Sequence, residues 1–230
     1  MARRASSADG TKLFAASCCG VNVYTSTDSG ATWQPSDSTY SPRKAASSAD
    51  GTKLVMADPF GAIYTSVDSG DNWTERTGDM TGRARALAIS DNGTKIALTN
   101  GIGNVYVSTN SGVDWTDTAP EGDYNFYGLA MSSDGTKLAL TENSNSQTSK
   151  IWTSTDSGAN WTERDDITSA SWLAVALSDD GSKITALASS EGPSSGGGGD
   201  GGFNSFDGNG DGTADSLQSN VSGAYNEALG

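Results

Sequence analysis

The chain is predicted to be all-β, an array of small four-stranded sheets generated by sequence repetition. Three observations carry that expectation. A phrase of the form Ser-x-Asp/Asn-Gly-Thr/Ser-Lys-Leu/Ile recurs with its glycine at 10, 51, 93, 135 and 181, a spacing of 41 to 46 residues. A second phrase, Ser-x-Asp-x-Gly-x-x-Trp, alternates with the first. Between the two, apolar residues fall at every second position, the period of a strand with two different faces.

One period shows the elements in order. Leu87 and Ile89 alternate along a first strand, and Asp91-Asn92-Gly93 turns the chain. Ile96 and Leu98 mark the second strand, Asn100-Gly101 and Gly103 the next turn, Val105 and Val107 the third strand. Ser108–Trp115 then forms the last turn, and the strand begun by Trp115 closes the unit. This makes four strands joined by hairpins in ~42 residues. One such sheet cannot bury both of its faces, so neighbouring units must stack on it.

The count is uneven. Five copies of the first phrase and four of the second give four full units and the first two strands of a fifth. The innermost positions of the early units are also small and polar, with Ala5 and Ser6, then Ala45 and Ser47, where the third unit has Leu87 and Ile89. An unclosed array exposes strand edges. Closure is expected from further sequence, from a second chain, or from a five-membered ring with one defective unit. A fragment or a self-associating chain ranks above a self-sufficient monomer.

The second phrase occurs as Ser26-x-Asp28-x-Gly30-x-x-Trp33, Ser66-x-Asp68-x-Gly70-x-x-Trp73 and Ser154-x-Asp156-x-Gly158-x-x-Trp161. In the third unit it reads Ser108-x-Asn110-x-Gly112-x-x-Trp115. Serine and aspartate oxygens suit hydrogen bonds to turn backbone, glycine permits positive φ, and tryptophan supplies an apolar plug. Asparagine at 110 keeps the hydrogen bonding and loses the charge, which fits a structural turn better than a metal site.

These phrases resemble the Asp box, or BNR repeat, of sialidases, sortilin-type receptors, photosystem II assembly factors and many secreted bacterial proteins. The resemblance covers roughly residues 5–187. It implies a β-propeller whose blades carry the box between their third and fourth strands, at the periphery and away from the ligand face. It is specific for the blade and unspecific for activity.

Composition narrows the partners. The formal net charge is −14, from 28 acidic and 14 basic residues, which opposes nucleic acid and anionic membrane surfaces. No stretch approaches the ~20 apolar residues of a membrane span. Met1-Ala-Arg-Arg runs straight into repeat sequence with no apolar leader, as in a chain that starts inside a repeat. Cys18 and Cys19 are adjacent at an expected hairpin tip, aligned with Pro59-Phe60 of the next unit. They form no disulfide framework; a variable loop is the main reading, with redox chemistry or metal capture as alternatives.

After Leu187 the character changes. Residues 188–203 are rich in Gly and Ser and read as a flexible linker. Residues 204–230 contain Asp207-Gly-Asn209-Gly-Asp211-Gly-Thr213-Ala-Asp215. Oxygen ligands at positions 1, 3 and 5, with glycine at 6, open an EF-hand-like loop; Thr213 offers its carbonyl and Asp215 stands at position 9. Gln218 replaces the usual bidentate acid at position 12, which lowers the expected affinity. The loop resembles a single dockerin or thrombospondin type 3 calcium loop; a disordered acidic tail is the other reading. Leu217, Val221, Ala224 and Ala228 suggest one side of a short helix. With only one motif, cohesin partnership is not expected.

Catalytic signatures are sparse. The sequence has no histidine, so Ser-His-Asp chemistry is excluded, and no Gly-x-Ser-x-Gly elbow or phosphate loop occurs. A sialidase requires an arginine triad and a Phe/Tyr-Arg-Ile-Pro phrase; the phrase is missing. Arg76 and Arg164 fall on outer strands, where surface pairing with Glu75 or Glu163 is expected. Arg43, Arg83 and Arg85 precede inner strands and can reach one face of a ring. Tyr124, Phe126, Tyr127 and Trp172 sit in inter-unit segments, where packing between blades competes with a role on a binding face for sugars or peptides.

The sequence therefore predicts a non-enzymatic, extracellular or cell-surface binding or scaffold module with a calcium-stabilised tail, a protein or glycan ligand, and self-association that completes the ring. The alternative is a fragment of a sialidase-like glycoside hydrolase. A photosystem assembly role is a third option that nothing here singles out.

Overall fold

In the computed structural model, the described residues are 3–16, 23–36, 42–76, 82–142, 149–164 and 171–188. They all lie in the first of two compact units, Met1–Gly192; the second is Pro193–Gly230. Cys18, Cys19 and the proposed calcium loop, from Asp207 to Gln218, fall outside the described residues.

Every described element is a strand. The first sheet holds β1 (Arg3–Ser6), β2 (Leu13–Ala16), β3 (Val23–Ser26) and β4 (Gln34–Ser36). The second holds β5 (Lys44–Ser47), β6 (Leu54–Ala57), β7 (Ile63–Ser66) and β8 (Thr74–Arg76). The third holds β9 (Ala84–Ile89), β10 (Ile96–Asn100), β11 (Val105–Ser108) and β12 (Thr116–Asp117). The fourth holds β13 (Phe126–Met131), β14 (Leu138–Glu142), β15 (Ile151–Ser154) and β16 (Thr162–Arg164). A fifth pairs β17 (Trp172–Leu177) with β18 (Ile184–Ala188). Each sheet is an antiparallel meander in sequence order, with its first strand innermost. The first strands contact one another in the order β1, β5, β9, β13, β17, so the sheets are blades of an incomplete propeller.

The cores lie between blades rather than within them. Phe14, Ala16 and Val23 of the first blade pack with Leu54, Met56 and Tyr64 of the second. Val55, Ala57 and Ile63 of the second pack with Ala84, Ile96, Leu98 and Tyr106 of the third. Ala97, Val105 and Val107 of the third pack with Phe126, Leu138, Leu140 and Trp152 of the fourth. β6 thus turns Leu54 and Met56 one way and Val55 and Ala57 the other, and all four are buried. Burying each large aliphatic side chain contributes about 1.5–3 kcal/mol, and only a stacked neighbour supplies the cover.

A polar ladder joins the blades at their first turns. The backbone N–H of Ala8 donates to Ala49 O (2.8 Å), Ala49 to Asp91 O (2.9 Å), Asp91 to Ser133 O (2.8 Å) and Ser133 to Asp179 O (2.8 Å). Each bond runs from one blade to the next, so the second, third and fourth blades each donate forward and accept from behind.

Candidate functional site

The serine–aspartate turns come first, because the sequence singles them out. All four lie between the third and fourth strands of their blades. In the first, Ser26 Oγ donates to Asp28 Oδ1 (2.8 Å) and accepts from Gly30 N–H (2.9 Å). Asp28 Oδ1 accepts from Thr32 N–H (2.8 Å), and Oδ2 from Thr32 Oγ1 (2.6 Å). Ser66, Asp68 and Gly70 repeat the pattern, as do Ser154, Asp156 and Gly158. Asn110 accepts from Asp114 N–H at 2.9 Å and from Ser108 Oγ at 3.0 Å, so the uncharged residue keeps the role. These oxygens are consumed inside their own turns, which is chemistry for holding a loop rather than a ligand.

The bonding shows in the acidity. The Thr32 hydroxyl beside Asp28, and the Asn160 amide beside Asp156, hold those carboxyls down at about 2. Ser7, Ser48 and the Thr136 backbone do the same, each to about 2, for Asp9, Asp50 and Asp134 in the first turns.

Two features of the turns are not read from the sequence. Ser29, Ser69, Ser111 and Ser157 all adopt positive φ, between 58° and 63°, in the left-handed region that side chains disfavour. Each uses its N–H to reach a carbonyl of the first turn, as Ser29 does to Thr11 O at 2.9 Å, which ties the blade's two turns together. The available signal was serine at this position in all four phrases. The second feature corrects an expectation. Trp73, Trp115 and Trp161 pack against the preceding blade, but Trp33 is 41% exposed because no described blade precedes its own.

On the outer strands Arg76 bonds a threonine, and Glu163 pairs with a lysine. Arg76 Nε donates to Thr65 Oγ1 at 2.8 Å, and Glu163 takes Lys150 at 2.6 Å. Of the inter-blade aromatics, Phe126 and Trp172 are buried, and Tyr124 stacks on Phe126 and Trp152 with ring centroids 5.8 and 5.1 Å away. They serve packing.

Tyr127 does not. It belongs to a row built by the start of the inner strands. Arg43, Arg85, Tyr127 and Leu173 each stand eight residues before their blade's first-turn glycine, at Gly51, Gly93, Gly135 and Gly181. The last three share a device. β9 pairs Ala84 with Asn100 and then Ala86 with Thr99, leaving Arg85 as the extra residue of a bulge. Tyr127 is skipped in the same way between Phe126 and Gly128, and Leu173 between Trp172 and Ala174. A bulge re-aims the unpaired side chain, here at one rim of the ring.

On that rim Arg85 meets its neighbour across the blade boundary. Its Nη1 lies 3.2 Å from the Tyr127 hydroxyl, and its guanidinium stands 4.9 Å from the ring centroid. The Nε atoms of Arg85 and Arg43 are buried without hydrogen-bond partners. Leu173 is 45% exposed, and Phe60 and Ile102, on the β6–β7 and β10–β11 hairpins, are also exposed. Arg83, the third arginine of this region, donates to Pro59 O at 3.4 Å. Near the same rim Glu142 is buried, which raises its carboxyl, and Glu142 Oε2 accepts from Lys150 N–H at 3.3 Å. The arrangement offers fixed positive charge, an aromatic face and exposed apolar side chains. It is equipped to hold an anionic group beside a flat or apolar one.

No family model and no curated protein sequence matches the chain. Solved structures do. An ancestral GH74 enzyme superposes with a TM-score of 0.62 at 16% identity, over 79% of this chain and 28% of that one. The hydrazine synthase of Kuenenia stuttgartiensis gives 0.61 at 17% identity, over 81% and 61%. YCF48 bound to D1 peptide gives 0.58 at 17% identity, over 81% and 61%. The chain spans less than two thirds of each. Such likeness establishes the propeller fold and no more. Among the described residues no group of acidic or cysteine side chains is placed to hold a metal ion, and no helix is long and apolar enough to cross a membrane.

Proposed function

We propose that the chain is an Asp-box propeller scaffold that binds a carboxylate-bearing ligand, a peptide first of all, on the rim formed by Arg43, Arg85, Tyr127 and Leu173. The observation that carries this is the bulge repeated in three successive inner strands, which turns one residue per blade onto the same rim. Arg43 and Arg85 are half-buried and bring fixed positive charge for a carboxylate, and Tyr127 and Leu173 supply contact area. The neighbour described as bound to a peptide supports a protein ligand. The four serine–aspartate turns, with their shared hydrogen bonds, support the Asp-box reading.

The test is a peptide and glycan array probed with the unmodified chain and with Arg43→Ala plus Arg85→Ala. Acidic ligands captured by the first and lost by the second are the expected result. Equal capture by both removes the rim from the proposal. Hydrolysis of a captured glycan would move the chain to the alternative reading, a glycoside-acting fragment, which the GH74 neighbour keeps in view.

The proposal extends to an extracellular setting and to a tail loop, Asp207 to Asp215, that binds calcium. Calorimetry with calcium is expected to give heat that disappears on Asp207→Ala plus Asp211→Ala. A silent titration of the unmodified chain sinks the loop.

A further inference from the structure

Arg85 lies in a slot at the boundary between the third and fourth blades. Tyr127 closes one side, with its hydroxyl 3.2 Å from Arg85 Nη1 and its ring centroid 4.9 Å from the guanidinium. Gly101 closes the other. A Cβ built there would stand 2.8 Å from Arg85 Nε, 3.3 Å from Nη2 and 3.5 Å from Cζ. Both nitrogens are nearer than the carbon that joins them, so the Nε–Nη2 edge faces the glycine.

The glycine wall is firm. Gly101 N–H donates to Arg83 O at 3.2 Å. Asn100, only 1% exposed, pins the same hairpin, its Oδ1 accepting from the N–H groups of Ile102 (3.2 Å) and Asn104 (2.8 Å). The slot nevertheless suits its occupant poorly. The Nε–Nη2 edge is the fork with which arginine meets a carboxylate. Here it is turned onto a glycine, and Nε is buried without a hydrogen-bond partner among the described residues. A buried donor without a partner costs at least what an ordinary hydrogen bond returns. Against that cost stand one hydrogen bond to a hydroxyl and a cation–π contact with a ring whose residue is 37% exposed.

We propose that this is a stored position, and that a carboxylate ligand draws Arg85 out of the slot to bind. The step rests on the rim reading given above and adds a conformational requirement to it. Only side-chain torsions change, because the bulged backbone already carries Arg85 to the rim. Outside the slot the Nε–Nη2 fork is free to pair with the carboxylate. The face of Tyr127 that Arg85 covered is then open to the ligand's flat group. A chain with Arg85 stored is not ready to bind, so apparent affinity falls as the stored fraction rises. Spoiling the slot therefore tightens binding. A rigid clamp, in which Gly101 and Tyr127 hold Arg85 ready, gives the opposite sign.

The probe is N-acetylphenylalanine, a carboxylate beside a flat apolar ring, titrated into the full chain. Arginine Nε–H groups are followed by NMR, the Arg85 signal being identified by its loss in Arg85→Ala. In the free protein that signal is expected to exchange slowly with water, and to shift as the probe saturates. Gly101→Ala fills the slot against a flexible side chain, at a φ outside the left-handed region. Tyr127→Phe removes the hydroxyl and keeps the ring. Both variants are expected to bind the probe about three to ten times more tightly than the unmodified chain, with fast Arg85 Nε–H exchange before any probe is added. Weaker or equal binding by either variant overturns the stored position; should Gly101→Ala unfold, Tyr127→Phe alone decides. A fast-exchanging Arg85 signal in the free unmodified chain overturns it as well. Arg85→Ala is expected to lose saturable binding. If it binds as the unmodified chain does, or if no form binds, the rim reading itself fails and the stored position with it.

Discussion

Lys53 reaches from the second blade into the third, where its Nζ donates to the Asn92 carbonyl at 2.7 Å. Its aliphatic stem lies across Gly93 on the way, so close that a Cβ there would fall 2.5 Å from Lys53 Cδ. Lys12 over Gly51, Lys95 over Gly135 and Lys137 over Gly181 repeat the contact. The lysine of the first phrase is therefore a bracket between units, and the glycine is the surface it rests on.

That relationship separates two substitutions that look alike in sequence. Gly10 and Gly93 share a positive φ, 71° and 66°, but nothing stands within 4 Å of a Cβ on Gly10. Gly10→Ala is expected to destabilise by about 1 kcal/mol through backbone strain alone. Gly93→Ala adds the collision with Lys53 and should lose about 1–3 kcal/mol more. Chemical denaturation of both variants measures the difference, and equal losses would contradict the bracket.

The tryptophans divide in the same way. Trp73 stands edge-on to Phe14 with ring centroids 5.8 Å apart, and its Nε1 reaches Ser36 Oγ of the preceding blade at 3.0 Å. Trp73→Ala is expected to destabilise by about 3 kcal/mol, as large-to-small changes at packed sites do. Trp33 is 41% exposed, so Trp33→Ala should stay within about 1 kcal/mol. Thermal unfolding of the pair checks this.

Restoring the consensus acid at position 110 should not help. Asn110 Nδ2 donates to Asp114 Oδ2 at 2.7 Å, and aspartate has no hydrogen to give. Asn110→Asp sets two carboxylates face to face on an exposed turn, with an expected loss of about 0.5 kcal/mol at neutral pH. Unfolding measured at pH 7 in low and high salt should show the deficit shrinking as salt screens the two charges. A more stable variant at pH 7 would refute the account.

Acid should act together on the turns that carry aspartate. Asp9, Asp28, Asp50, Asp134 and Asp156 sit at about 2, well below the usual aspartate range, because hydroxyls and amide N–H groups favour their ionised form. A depressed folded value means stability that is complete above the unfolded value and is lost as pH falls through the folded one. The Tm is expected to be flat from neutrality to about pH 4.5 and to fall between about pH 4 and pH 2. A midpoint unchanged down to pH 2 would show that these bonds contribute nothing.

The repeat, the strand order and the turn positions are legible in the sequence because each depends on local chemistry. Gly93 and Gly112 need positive φ, Ile96 and Leu98 need an apolar face, and both demands are written at fixed spacing. What the sequence hides depends on the neighbour. Trp33 and Trp73 close the same phrase and have different fates, because only the second has a described blade in front of it. The rim row is hidden for another reason. Arg85, Tyr127 and Leu173 have nothing in common chemically, and what aligns them is a bulge in the pairing with the second strand. The burial of Val55 and Ala97 is likewise set by two-sided packing, which a simple alternation conceals.

The ladder from Ala8 through Ala49, Asp91 and Ser133 to Asp179 has the grammar of a polymer with a head and a tail. Every rung is made of the same backbone atoms, so no rung depends on which side chains its blades carry. A whole period can be duplicated or deleted without changing the rungs on either side, whereas half a period breaks the rhythm. The period of the sequence and the period of the hydrogen-bond ladder are the same, which gives such arrays freedom to vary in length while each blade keeps its form.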